Sequence, residues 1–150
     1  MKRKLYFDFD AINLTKEEAT LFINTFKTIL EKELLININA DDYIVLCNEN
    51  KDKQGKETDL IQSLHIIVAS YKMDFKQQKK LSEYINAVYG LDIDTNVYKQ
   101  NKKMRLFNQS KLKYGVKLIN FFDDEINITK SLIYYISHIQ EIQFTKEHDL

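Results

Sequence analysis

The sequence predicts an α+β fold, a mixed or antiparallel sheet with helices packed on one side. Short segments that alternate apolar and polar residues supply the strands, and segments with apolar residues three and four apart supply the helices. Several gaps between strands are of hairpin length, which argues against a regular parallel βαβ sheet. The 150 residues are 44% hydrophobic and 29% charged, enough to build one core. No repeat, low-complexity tract or linker divides the chain, so one domain over residues 1–150 is expected.

Lys4 to Asp10 reads as the first strand, with Leu5, Phe7 and Phe9 on one face and Tyr6, Asp8 and Asp10 on the other. Thr15-Lys16-Glu17-Glu18 has capping-box spacing. The helix it opens carries Ala19, Phe22, Ile23, Phe26, Ile29, Leu30 and Leu34 at helical period and should run to about Leu35. Tyr43 to Cys47 is a short apolar strand, followed by a polar connector from Asn48 to Lys56 that contains Gly55. Ile61 to Ser70 is another strand: Ser63, His65 and Ile67 share one face, and Leu64, Ile66 and Val68 the other. Phe75 to Tyr89 is a second helix with Leu81, Tyr84, Ile85 and Val88 inward, stopped by Gly90. Ile93 to Tyr98, Lys103 to Phe107 and Val116 to Phe122 read as further strands. Thr129 to about Ile142 reads as a third helix.

No apolar run approaches the roughly 20 residues of a membrane-spanning helix. The opening MKRKLYFDFD lacks the apolar stretch of a signal peptide. Cys47 is the only cysteine, which excludes a disulfide framework and a multi-cysteine zinc site, and an intracellular setting is expected. Lys+Arg and Asp+Glu are both 22, but the neutral sum hides a segregated charge. Lys99 to Lys117 holds seven basic residues and no acid, a block suited to phosphates.

Asp8 and Asp10, two apart on one strand, project from the same face and can share divalent cations. A D-x-D pair is as often a solvated polar face. Here large hydrophobic residues flank both acids, and two like charges on such a strand are costly without a cation. Ser63 and His65 bring a hydroxyl and an imidazole side by side, an arrangement more often structural than functional and lacking the strained turn of a hydrolase serine. Asp94 opens the Ile93 strand. Arg105 lies between Met104 and Leu106, where a buried anion such as a triphosphate explains a guanidinium better than solvent does.

Three motifs occur in order: Phe7-Asp8-Phe9-Asp10, Ser63-Leu64-His65, and Ile93-Asp94-Thr95-Asn96-Val97-Tyr98 continuing through Asn101, Met104-Arg105-Leu106 and Ser110-Lys111. This series resembles the archaeo-eukaryotic primase superfamily, above all its primase-polymerase branch, which includes primases of large DNA viruses. The third motif is the most specific, because many positions agree at fixed spacing over about twenty residues. The helix expected at 131–136 also resembles the segment after the catalytic block in these primases.

The resemblance implies an RRM-like sheet and a template-directed nucleotidyltransferase, a DNA primase or polymerase. It implies that Asp8, Asp10 and Asp94 hold two divalent ions, Mg²⁺ or Mn²⁺. It assigns Ser63 and His65 to the phosphates of the incoming nucleotide, and Arg105 and Lys111 to the triphosphate or template. Lys99, Asn101, Lys102 and Lys103 would contact nucleic acid. The implied partners are single-stranded DNA, nucleoside triphosphates and a helicase domain or subunit. Relatives carry a segment ahead of the first motif, which begins here at residue 7. A pared-down catalytic core or a piece of a larger primase-helicase is therefore expected.

Two other readings compete. In a haloacid-dehalogenase-type phosphatase, Asp8 and Asp10 would be nucleophile and acid, and Asp123 and Asp124 a metal pair. That family expects Gly-Thr after D-x-D, where this chain has Ala11-Ile12. The other alternative is a non-catalytic relative that binds nucleic acid through Lys99 to Lys117.

Overall fold

The computed structural model describes residues 2–48, 52, 54–98, 118–122, 139–144 and 146. Alternation in β1 (Lys2–Phe9) and β3 (Leu64–Asp74) divides the sheet into two faces. Leu5, Phe7, Phe9, Leu64, Ile66 and Val68 enter the main core, while Tyr6 and Ile67 enter a smaller cluster on the other side. The main core is closed by α1 (Lys16–Leu34) and α2 (Phe75–Tyr89), so both helices lie on one side of the sheet. Phe7, Phe9, Phe22 and Phe26 meet there edge-on and stacked, with ring centroids 4.9–6.4 Å apart.

The expected capping box forms: Glu18 N–H donates to Thr15 Oγ1 at 3.2 Å, and Thr15 N–H donates to Glu18 Oε1 at 2.9 Å. Gly90 closes α2 in the left-handed region, at φ 68°. β2 (Tyr43–Asn48) lies beside β3, so β1 and β2, joined by α1, flank β3 and run antiparallel to it. This is a split βαβ arrangement. β4 (Leu118–Asn120) then pairs with the outer side of β2, giving the order β1-β3-β2-β4 and, among the described residues, leaving β1 at one end. No helix among the described residues is long and apolar enough to cross a membrane.

Some elements depart from the pattern. The Ile93–Tyr98 segment is not a strand; it holds a 3-10 turn at Thr95–Val97. The reason is local: Asn86 takes both main-chain groups of Ile93, through Oδ1 at 2.8 Å and Nδ2 at 3.0 Å, and Asp94 Oδ1 accepts from Asn96 N–H at 2.9 Å. The end expected for the third helix is instead β5 (Gln140–Glu141), parallel to Tyr71 and Lys72 of β3 where β2 no longer reaches. Residues 129–138, and the strand expected at 103–107, lie outside the described residues. Val88 is exposed because α2 buries the stripe Gln78, Leu81, Ser82 and Ile85 instead.

Gln78 shows why the stripe is rotated. The β1–β3 ladder skips between Lys4 and Leu5, which pair with Lys72 and Val68, so Ala69, Ser70 and Tyr71 fall outside the β1 register. Gln78 is fully buried at this irregularity. Its Nε2 lies 3.0–3.1 Å from the carbonyls of Arg3, Lys4 and Met73, and its Oε1 accepts from Tyr6 N–H at 3.2 Å. Gln78→Leu strands several buried main-chain groups at once. It should lower stability by about 2–4 kcal/mol, read from urea unfolding midpoints.

A second polar tie joins the two helices. The buried Glu33 carboxylate of α1 accepts from the Tyr89 hydroxyl of α2 and from Lys146 Nζ at 2.7 Å. Burial raises its pKa, but the hydrogen bonds and charge of Lys146, with the Tyr89 bond, outweigh this and hold it below the ordinary 4.5. A carboxyl lowered in the folded state stabilises above its unfolded pKa and loses that stabilisation as pH falls through the folded value. Thermal unfolding should therefore show stability dropping as pH falls below about 4.5, with a shallower drop in Glu33→Gln.

Candidate functional site

The antiparallel register places Asp8 of β1 directly across from His65 of β3, on the face away from the helices. The Asp8 Oδ1–His65 Nε2 distance is 3.6 Å, and both residues are 6% exposed. Asp10 follows two residues on, just past the strand, and is half-buried. Asp8, Asp10 and His65 each offer one ligand atom, and these atoms all lie within 4.8 Å of one another. Two carboxylates this close in a buried setting repel unless a positive charge compensates them. Carboxylate oxygens and an imidazole nitrogen form a donor set that suits a divalent metal ion, so this cluster can hold one.

Asp94 is brought to the same end of β1 through the main chain: its N–H donates to the Asp8 carbonyl at 2.8 Å. Its carboxylate caps the 3-10 turn and is not one of the three clustered ligands. Ser63 lies one residue ahead of β3 and is buried. Asn48, at the end of β2, accepts from Gln62 N–H at 2.8 Å and Ser63 N–H at 3.2 Å, fixing the chain as it enters β3. The structure therefore brings Asp8, Asp10 and His65 together, with Ser63 two residues from His65 and Asp94 joined to Asp8 through the main chain. Lys99, Asn101, Lys102, Lys103, Arg105 and Lys111 lie outside the described residues, as do Asp123 and Asp124.

A cleft of about 410 Å³ opens beside the cluster, lined by Asp10, Ala11, Ile12, Asn13, Gln54 and Gln62. Its walls are tied by a two-way bridge, Leu14 N–H to Ile61 carbonyl at 3.0 Å and Ile61 N–H to Leu14 carbonyl at 2.7 Å. Asp10 belongs to both the cluster and the cleft.

Sequence reasoning missed the residues that hold the cluster from behind. The Tyr6 hydroxyl is hydrogen-bonded to His65 Nδ1. Tyr98 donates to the Tyr6 carbonyl at 2.6 Å, and Ser82 Oγ lies 2.7 Å from the Tyr98 hydroxyl, so Ser82 is the donor there because the phenolic proton is already committed. Burial pushes the Tyr98 phenol above its ordinary range; the Asp8 and Asp94 charges push the same way, while the Ser82 bond and Arg3 oppose them. Tyr98 therefore remains a neutral donor. The alternation that sets Tyr6 beside Asp8 on the polar face was the available signal for Tyr6. Nothing in the spacing pointed to Ser82.

Compared with protein-family models and with curated proteins, the sequence matches none. Tyr98→Phe removes the hydroxyl but keeps the ring, stranding the Tyr6 carbonyl and the Ser82 hydroxyl in a buried setting. It should cost about 1–3 kcal/mol in chemical denaturation, and adding Ser82→Ala should recover part of the loss.

Proposed function

We propose that the chain is a divalent-metal-dependent nucleotidyltransferase of primase type, joining nucleotides on a single-stranded DNA template. One observation carries this reading. The D-x-D, S-x-H and Asp94 motifs, far apart in the sequence, meet at one end of β1, with Asp8 across from His65 and bonded through its carbonyl to Asp94 N–H. Main-chain pairing brings the motifs together, and the reading rests on their carrying two carboxylates and an imidazole to that one place.

Divalent ions, when bound, would lower the pKa of an attacking hydroxyl and stabilise the leaving pyrophosphate. Asp8 and Asp10 supply carboxylate oxygens for them, and the resemblance adds Asp94, whose N–H is bonded to the Asp8 carbonyl. The cleft next to Asp10 has room for a nucleotide. Arg105 and Lys111 are assigned to the triphosphate by their motif, and Lys99, Asn101, Lys102 and Lys103 to the template strand. Fixed cationic donors of this kind offset the charge that develops on phosphate oxygens. A helicase domain or subunit is the partner that would deliver unwound template.

The phosphatase alternative asks Asp8 to act as an exposed nucleophile. Asp8 is instead buried against His65, which fits a ligand better than an attacking group. Incorporation of labelled nucleotides on a single-stranded template, with Mg²⁺ or Mn²⁺, tests the proposal. Asp94→Asn should lower incorporation by on the order of 10²-fold or more while strand binding stays near wild type. Strand binding by the wild-type chain with no product, or full synthesis by Asp94→Asn, would overturn it.

A further inference from the structure

We infer that His65 is itself a metal ligand through Nε2, completing a site with Asp8 and Asp10, and that Tyr6 is the positioning residue that fixes its tautomer. The inference rests on the proposed reading only in taking a divalent cation as the occupant. It departs from the resemblance, which gives His65 to phosphate and the third metal position to Asp94.

Geometry carries the first half. Around an ion with ligands at about 2.1 Å, neighbouring donor atoms lie about 3 Å apart and opposite ones about 4.2 Å. The 3.6 Å between His65 Nε2 and Asp8 Oδ1 falls inside that range, and the 4.8 Å limit on the whole trio exceeds it only slightly. Asp94, by contrast, has its carboxylate engaged at Asn96 N–H. With one nitrogen among its donors, the trio suits Mn²⁺ better than Mg²⁺, which favours oxygen.

The second half follows from proton placement. A ligating Nε2 must be unprotonated, so the ring proton belongs on Nδ1, and Nδ1 is the atom bonded to the Tyr6 hydroxyl. Tyr6 is well placed to accept a hydrogen bond from Nδ1–H. It lies diagonally across the strand pair from His65, on the same face. Its N–H is held by Gln78 Oε1 and its carbonyl by the Tyr98 hydroxyl, and its side chain is buried. The phenol oxygen therefore has little freedom to leave the imidazole.

The test uses the full chain, with Mn²⁺ titrated calorimetrically and the His65 ring nitrogens followed by NMR in the presence of diamagnetic Zn²⁺. Wild type should bind Mn²⁺ and carry the His65 proton on Nδ1 in the Zn²⁺-loaded state. Tyr6→Phe should weaken Mn²⁺ binding about 10–100-fold and lose the preference for the Nδ1–H form, with a circular-dichroism spectrum like wild type. His65→Asn should weaken Mn²⁺ binding as well, which keeps the test decisive if Tyr6→Phe folds poorly. Absence of Mn²⁺ binding in wild type, wild-type affinity in both variants, or a proton on Nε2 with Zn²⁺ bound would each overturn the inference. Mn²⁺ binding with these signatures but no nucleotide incorporation would sink the polymerase reading and support this one. Incorporation with Mn²⁺ affinity unchanged in both variants would do the reverse.

Discussion

The outer side of β1, an edge of the sheet among the described residues, is the constraint on which the rest depends. A strand at the end of a sheet presents main-chain groups that must find partners or invite another chain. Here the partners are internal: Gln78 takes Tyr6 N–H, the Tyr98 hydroxyl takes the Tyr6 carbonyl, and Asp94 N–H takes the Asp8 carbonyl. Each comes from a part of the chain remote from β1. Satisfying the edge therefore draws α2 and the 91–98 segment against the very residues that carry the acids. The hydrogen bonds that satisfy this edge thus also fix the main chain on either side of Asp8.

The two faces of β1 divide the work. Phe7 and Phe9 lock one side into the aromatic core with Phe22 and Phe26, so the strand cannot slip by a residue without turning Asp8 into apolar surroundings. The other side holds Tyr6, Asp8 and, one step beyond the strand, Asp10. Register fixed by packing on one face thus sets donor positions on the other. That separation lets charged groups sit close together without loosening the core.

Much of this was legible in the sequence. Two-residue alternation assigned both faces of β1 and β3 correctly, and the Thr15–Glu18 box and Gly90 marked the helix ends they were expected to mark. What alternation could not supply was pairing. Nothing local says that Asp8 lies across from His65 rather than from a residue on β2, because register is decided by contacts distant in the chain. The Ile93–Tyr98 segment misled for a related reason: its apolar spacing is strand-like, but the Asn86 side chain satisfies its backbone before any strand can. Val88 misled because helical periodicity finds an apolar stripe and does not foresee that polar Gln78 and Ser82 are the ones drawn inward.

The three clustered side chains are not equally reachable. Asp8 and His65 are buried, whereas Asp10 is half-buried and borders the cleft. Among the described residues, this gradient makes Asp10 the threshold: an arriving ion would exchange its first water there and shed the remainder only on moving inward. Departure would follow the same route backwards, so the side chain at position 10 would bear on how quickly an ion enters and leaves as well as on how tightly it is held.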